Sequence, residues 1–174
     1  MTELSRPFRL DSLSAAPRDV AVEADATERE ALARRFGLVA IDSLEADARL
    51  VRRSDAAVTA EGTVRARVVQ SCVATAERVE AVVEEPFRVE FRPLPSAGRA
   101  DEEIELGEGE LDTIFYEGGA VDLGETVAQS LLLALDPYPR SPAAEAALRE
   151  AGVKSEEEAR AESSPFAALK ALKE

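Results

Sequence analysis

Residues 44–53, LEADARLVRR, followed by residues 58–69, VTAEGTVRARVV, decide the fold. In the first run Leu44, Ala46, Ala48 and Leu50 alternate with Glu45, Asp47 and Arg49; in the second, Val58, Ala60, Val64, Ala66 and Val68 share one parity. A repeat of two is the signature of a half-buried strand, because successive side chains of an extended chain point to opposite faces. Ser54-Asp55-Ala56 supplies a turn, so the two runs are predicted to form a long antiparallel hairpin. With Arg53 opposite Ala57, Glu45 faces Arg65 and Arg49 faces Glu61, and these two complementary pairs support the register.

Working outward, a third long strand is expected from Glu77 through Val79, Ala81 and Val83, interrupted at Pro86 and resuming over Phe87, Val89 and Phe91. Proline has no N–H for the ladder, so a bulge or a sheet edge is expected there. Short strands are expected at Phe8-Arg9-Leu10, at Asp19–Glu23, in the acidic segment around Ile104 and Leu106, and between Ile114 and Leu123 near Gly118-Gly119.

Helices are read from their ends and their stripes. Asp25 or Thr27 can cap a helix that buries Leu32 and Phe36 and stops at Gly37. Leu123, Val127, Leu131 and Leu135 recur every four residues behind a possible cap at Asp122, and Pro137-Tyr138-Pro139 stops that helix. Residues 1–140 are thus expected to form one α+β domain, an antiparallel sheet of long hairpin strands packed against a few helices. Residues 141–174 are expected to be a charged helical or disordered tail that ends in an apolar stripe of Phe166, Leu169 and Leu172. That stripe reads equally as a helix docked on its own domain or as a partner-binding segment.

Composition narrows function more than it reveals it. Aromatic residues make up 5% of the chain and tryptophan is absent, so the core must be aliphatic. No apolar run approaches the roughly 20 residues of a membrane span. The N-terminal MTELSRPFRL does not have a secretory pattern, so a cytoplasmic protein is expected. The chain has no histidine, which removes Ser-His, Cys-His and His-metal arrangements together. Cys72 is the single cysteine and cannot form an internal disulfide or a four-ligand zinc site by itself. Neither Gly118-Gly119 nor the acidic run Asp101–Asp112 has the spacing of a phosphate cradle or a calcium loop. The reading is therefore no enzyme, no metal, no cofactor, no small-molecule substrate and no membrane.

The net charge is −14, from 35 acidic and 21 basic residues, a field that repels phosphates at long range. A local basic surface remains possible, because Arg49, Arg65, Arg67, Arg78 and Arg88 all lie on predicted strands. These arginines are candidates for contact with RNA or a ribosomal protein, and cross-strand pairing with the interleaved glutamates is the competing reading.

The run VVQSCVATAERV at residues 68–79 with EEPFRV at 84–89 resembles the YceD-like family, the large ribosomal RNA subunit accumulation proteins. YEGGAVDLGETV at 116–127 with LLLALDPYP at 131–139 is similar to that family's acidic-loop-to-helix element. PFAALKALK at 165–173 is similar to the ending of its alphaproteobacterial members. Many relatives carry a Cys-x-x-Cys-like pair where this chain has Cys72 alone. The resemblance implies a bacterial, non-catalytic role in accumulation or maturation of large-subunit (23S) rRNA, with no cofactor, and with precursor RNA or ribosomal proteins as partners. The acidic total leaves open a second role, an acidic adaptor that holds a basic ribosomal protein without touching RNA.

Overall fold

The structure, a computed structural model, describes residues 2–94 and 112–154. The acidic segment around Ile104 and Leu106 and the terminal stripe Phe166, Leu169 and Leu172 lie outside the described residues. The elements run β1 (Pro7–Arg9), β2 (Arg18–Glu23), α1 (Ala26–Phe36), β3 (Ala40–Arg52), β4 (Val58–Ser71), β5 (Arg78–Pro93), β6 (Asp112–Tyr116), β7 (Ala120–Asp122), α2 (Leu123–Ala134) and α3 (Ala144–Glu150). Two compact units emerge: residues up to Gln70 with Glu80–Pro137, and Ser71–Val79 with the stretch from Tyr138 onward.

The first unit is built on a five-stranded sheet in the order β2-β3-β4-β5-β6. The β3–β4 register places Glu45 opposite Arg65 and Arg49 opposite Glu61, as the sequence predicts. Leu44, Ala46, Leu50, Ala60, Val64, Ala66 and Val68 are all buried on its inner face. Each fully buried leucine contributes about 1.5–3 kcal/mol through lost apolar hydration. Leu32 and Ala33 of α1 and Leu123, Val127, Ala128 and Leu131 of α2 join the same core cluster.

Three expectations are corrected. β5 and β6 run parallel, with Val89 beside Asp112, so the sheet is mixed rather than wholly antiparallel. The eighteen or so residues between Pro93 and Asp112 exceed the dozen that a parallel return needs. β5 also runs unbroken through Pro86, where the sequence suggested an interruption; a proline is tolerated in a strand at a position whose missing N–H would have met no ladder acceptor. Finally, Leu10 leaves the strand for a single 3-10 turn over Leu10–Ser12, and β1 pairs with β7 in a separate ribbon, Phe8 beside Val121.

Both long helices are closed by side chains named from the sequence. Asp25 accepts the Glu28 amide at 2.9 Å, and Glu28 Oε2 accepts the Asp25 amide at 2.9 Å, a reciprocal capping box; Gly37 ends the helix. Asp122 caps α2 through the Gly124 amide at 2.9 Å. The same carboxylate accepts the Arg6 amide at 2.8 Å and the Ser5 hydroxyl at 2.7 Å. The N-terminal segment therefore crosses the start of α2, and Gly124 makes the crossing possible, since a Cβ there would stand 2.7 Å from the Leu4 carbonyl oxygen. Gly124→Ala is expected to lower the unfolding free energy by about 1–3 kcal/mol, the usual cost of overpacking, seen as a lower urea midpoint.

Arg6 also grips Glu28 with both guanidinium nitrogens, at 2.7 and 2.8 Å. That contact holds the Glu28 carboxyl below the usual carboxylate range, with the Asp25 amide adding to it against the opposing effect of burial. A carboxyl that ionises more readily when folded contributes stability above its unfolded pKa, and the contribution is lost as pH falls through the depressed folded value. Glu28→Gln should therefore cost about 1 kcal/mol at neutral pH. The gap between wild type and variant should close as denaturation is repeated at successively lower pH below the carboxylate range.

Candidate partner-binding face

The solvent side of the sheet carries the strand arginines. Period two sets Arg49 on β3 and Arg65 and Arg67 on β4 on the face opposite the core, and Arg88 lies on β5. Arg67 and Arg78 are exposed, and Arg78 falls in the second unit.

Three of these arginines already hold carboxylates. Arg49 Nε stands 2.9 Å from Asp19, Arg65 stands 2.7 Å from Asp47 and 3.5 Å from Glu84, and Arg88 Nε stands 2.7 Å from Glu61. The partners differ from the directly opposed residues on the hairpin. Arg49 lies between Asp19 on β2 and Glu61 on β4 in the two registers. It takes Asp19, which leaves Glu61 for Arg88. Arg65 takes Asp47, its diagonal neighbour two residues along β3 from the directly opposed Glu45. Exposed pairs of this kind are worth only about 0–1 kcal/mol each, so they act less as staples than as mutual neutralisation. The face offers phosphates an alternating lattice of charge, not a positive field.

Arg67 and Arg78 have no ion pair among the described residues. They are the members of the predicted set whose charge is open to a partner. The sequence reading did not anticipate a shallow trough of about 600 Å³ on this face, lined by Asp19, Ala21, Asp47, Arg49, Glu61 and Thr63 beside Gly62. Its one signal was Gly62 within a strand, since an interior glycine marks a close approach to the backbone. A Cβ at Gly62 would stand 2.2 Å from the Asp47 carbonyl oxygen and 2.9 Å from the Phe87 ring, so the phenyl ring covers the glycine from the core side.

The second unit contains Cys72. The thiol is buried, and its sulfur accepts the Ser141 amide at 3.2 Å. The Thr75 hydroxyl has one proton and several acceptors: the Cys72 sulfur, Glu77 Oε2 at 3.1 Å and Ser141 Oγ at 3.1 Å. Donated to sulfur, that proton is the largest influence on the thiol. With the Ser141 amide it outweighs burial and brings the thiol down to about 6. Among the described residues no three groups of metal-ligating type stand together, and no helix is long and apolar enough to cross a membrane. Thr75→Val should move the thiol back toward 9, read as a rise in the midpoint pH of iodoacetamide labelling. The labelling rate should stay far below that of the unfolded chain at every pH, because the sulfur is buried.

A family model described as large ribosomal RNA subunit accumulation protein YceD matches residues 60–173, more than half of the chain, from the third residue of β4 onward. No curated protein and no solved structure matches the chain.

Proposed function

The chain belongs to the YceD family of large ribosomal RNA subunit accumulation proteins, and from that premise we propose that it is a non-catalytic cytoplasmic accessory factor of ribosome biogenesis. It promotes accumulation or maturation of 23S rRNA by engaging a basic ribosomal protein rather than by gripping RNA across the sheet. The family is described by the RNA that accumulates, not by a reaction. A chain without histidine has no imidazole for acid–base work or for activating a nucleophile. No cofactor and no small-molecule substrate enters this reading.

The observation that supports it is the state of the arginines. Arg49, Arg65 and Arg88 each have a carboxylate within 2.9 Å, on a protein whose net charge is −14. An RNA strand would have to displace those carboxylates and approach against the overall field. A lysine- and arginine-rich protein meets neither obstacle. Direct RNA contact is the second reading, favoured by Arg67 and Arg78, which are exposed and lack an ion pair among the described residues.

Deletion of the gene should lower large-subunit rRNA relative to small-subunit rRNA; an unchanged ratio and precursor profile would overturn the role. Tagged protein recovered from growing cells should bring down small basic proteins. That recovery should survive nuclease and fall away at about 0.5 M salt, where the Debye length is a few ångströms. Recovery abolished by nuclease, with discrete precursor-RNA crosslinks, would favour the RNA reading.

A further inference from the structure

The neutralisation of the outer face stops short of one corner. The β2–β3 register sets Glu23 directly opposite Glu45, and both side chains are exposed. Like charges directly opposed on neighbouring strands cost stability. Arg65 stands opposite Glu45 on β4, but it holds Asp47 and Glu84 instead. Among the described residues neither Glu23 nor Glu45 has an ion pair. The same face pairs Arg49, Arg65 and Arg88 yet keeps this repulsion, and a local rule broken without gain to the fold points to a function.

Two residues along β3 the surface dips. Asp47 has Ala21 beside it on β2 and Thr63 beside it on β4, so a carboxylate stands between two short side chains. The trough of about 600 Å³ lies here, floored by Val20, Ala48 and Gly62, residues of the inner parity that reach the outer side through their backbone. Its far rim is Asp19, Arg49 and Glu61, aligned across the three strands. The surface is open to solvent, the Asp47 and Asp19 side chains being 70% and 76% exposed. Each holds its arginine through one oxygen, Asp47 by Oδ2 and Asp19 by Oδ1. From trough to corner, Asp19, Glu23, Glu45, Asp47 and Glu61 meet three guanidinium groups, those of Arg49, Arg65 and Arg88, and the excess is negative.

We propose that this part of the outer face, from the trough to the Glu23–Glu45 pair, receives an extended segment of a basic partner protein that carries lysine or arginine at alternate positions. Side-chain rows two residues apart on the sheet are separated by about 7 Å, and so are alternate side chains of an extended segment. A segment aligned with β3 therefore lays one cation in the trough at Asp47 and the next at Glu23 and Glu45. A cation between those two glutamates replaces a repulsion with two attractions. A nucleic acid would bring phosphates against the negative excess, and a second copy of this chain would bring the same five carboxylates. This site deepens the reading that the partner is a basic protein and rests on it.

The test is nuclear magnetic resonance on the isotope-labelled full chain, with a synthetic peptide of alternating lysine and threonine as probe and one of alternating glutamate and threonine as control. Amide resonances of Asp19–Glu23, Glu45–Arg49 and Glu61–Arg65 should shift with the lysine peptide and stay in place with the glutamate peptide. The combined variant Glu23→Gln and Glu45→Gln should keep or raise its urea midpoint, because it loses a repulsion. Its affinity for the lysine peptide should fall about fivefold, the scale of exposed charge pairs. A purely structural role for the two glutamates would move stability and binding together. Four results overturn the site: no shifts or shifts confined to another segment, affinity unchanged in the variant, a lowered midpoint in the variant, or equal shifts with the glutamate peptide. Stronger shifts of these amides with a single-stranded RNA oligonucleotide overturn it in favour of a nucleic acid, and self-association through this face overturns it in favour of a second copy. In cells, a deletion that lowers large-subunit rRNA while the variant still recovers basic proteins in full removes this site and leaves the broader role. A deletion without effect on rRNA removes the role, while peptide binding still stands or falls by the resonance shifts.

Discussion

Everything else in the first unit follows from covering the aliphatic inner face of β3 and β4. Those strands present leucine, valine and alanine in alternation, with no tryptophan anywhere in the chain to fill a gap. A core of small side chains must be packed closely to gain its burial energy, so the covering pieces have to approach the sheet and one another tightly. The crossing at Gly124 meets that demand, where the Leu4 carbonyl lies against the first turn of α2. Polar bonds then fix the pieces in place. Asp122 holds both the helix start and the N-terminal segment, Arg6 ties that segment to α1, and Arg35 bridges Glu3 at 2.9 Å and Glu125 at 2.7 Å.

The opposite face obeys a different constraint. It stays in water, and its charges are arranged so that each strand answers its neighbour. Arg49 goes to β2, Arg65 stays on the hairpin and Arg88 returns to β4. Such pairs add little stability, and their main effect is to remove the positive field that Arg49, Arg65 and Arg88 would otherwise create. The chain as a whole keeps its acidic excess, a net charge of −14, which shapes which macromolecules can approach.

Much of this was legible because it is local. The hairpin register followed from the two-residue repeat and a turn that joins adjacent segments, and Glu45 does stand opposite Arg65. Asp25, Gly37 and Asp122 were readable as helix ends because a cap acts on amides two or three residues away. The ion pairs themselves were not readable. Arg49 chooses between carboxylates on two flanking strands, and the strand order that offers the choice is absent from a linear reading. Pro86 was recognised as a residue with no N–H for the ladder; that β5 nevertheless continues through it is decided by the sheet and not by the local sequence.

By itself, then, the sequence determined the class of the fold, the long hairpin, the helix caps, the aliphatic core and the absence of imidazole chemistry, since each rests on residue identity or on spacing of a few positions. Only the tertiary structure decided that β6 joins β5 in parallel, that β1 meets β7, that the Ser141 amide reaches the Cys72 sulfur, and that Arg49, Arg65 and Arg88 are already engaged. These are contacts between segments from about twenty to more than a hundred residues apart. Their formation depends on loop closure and on competition among many possible partners, and short-range pattern carries almost no information about either.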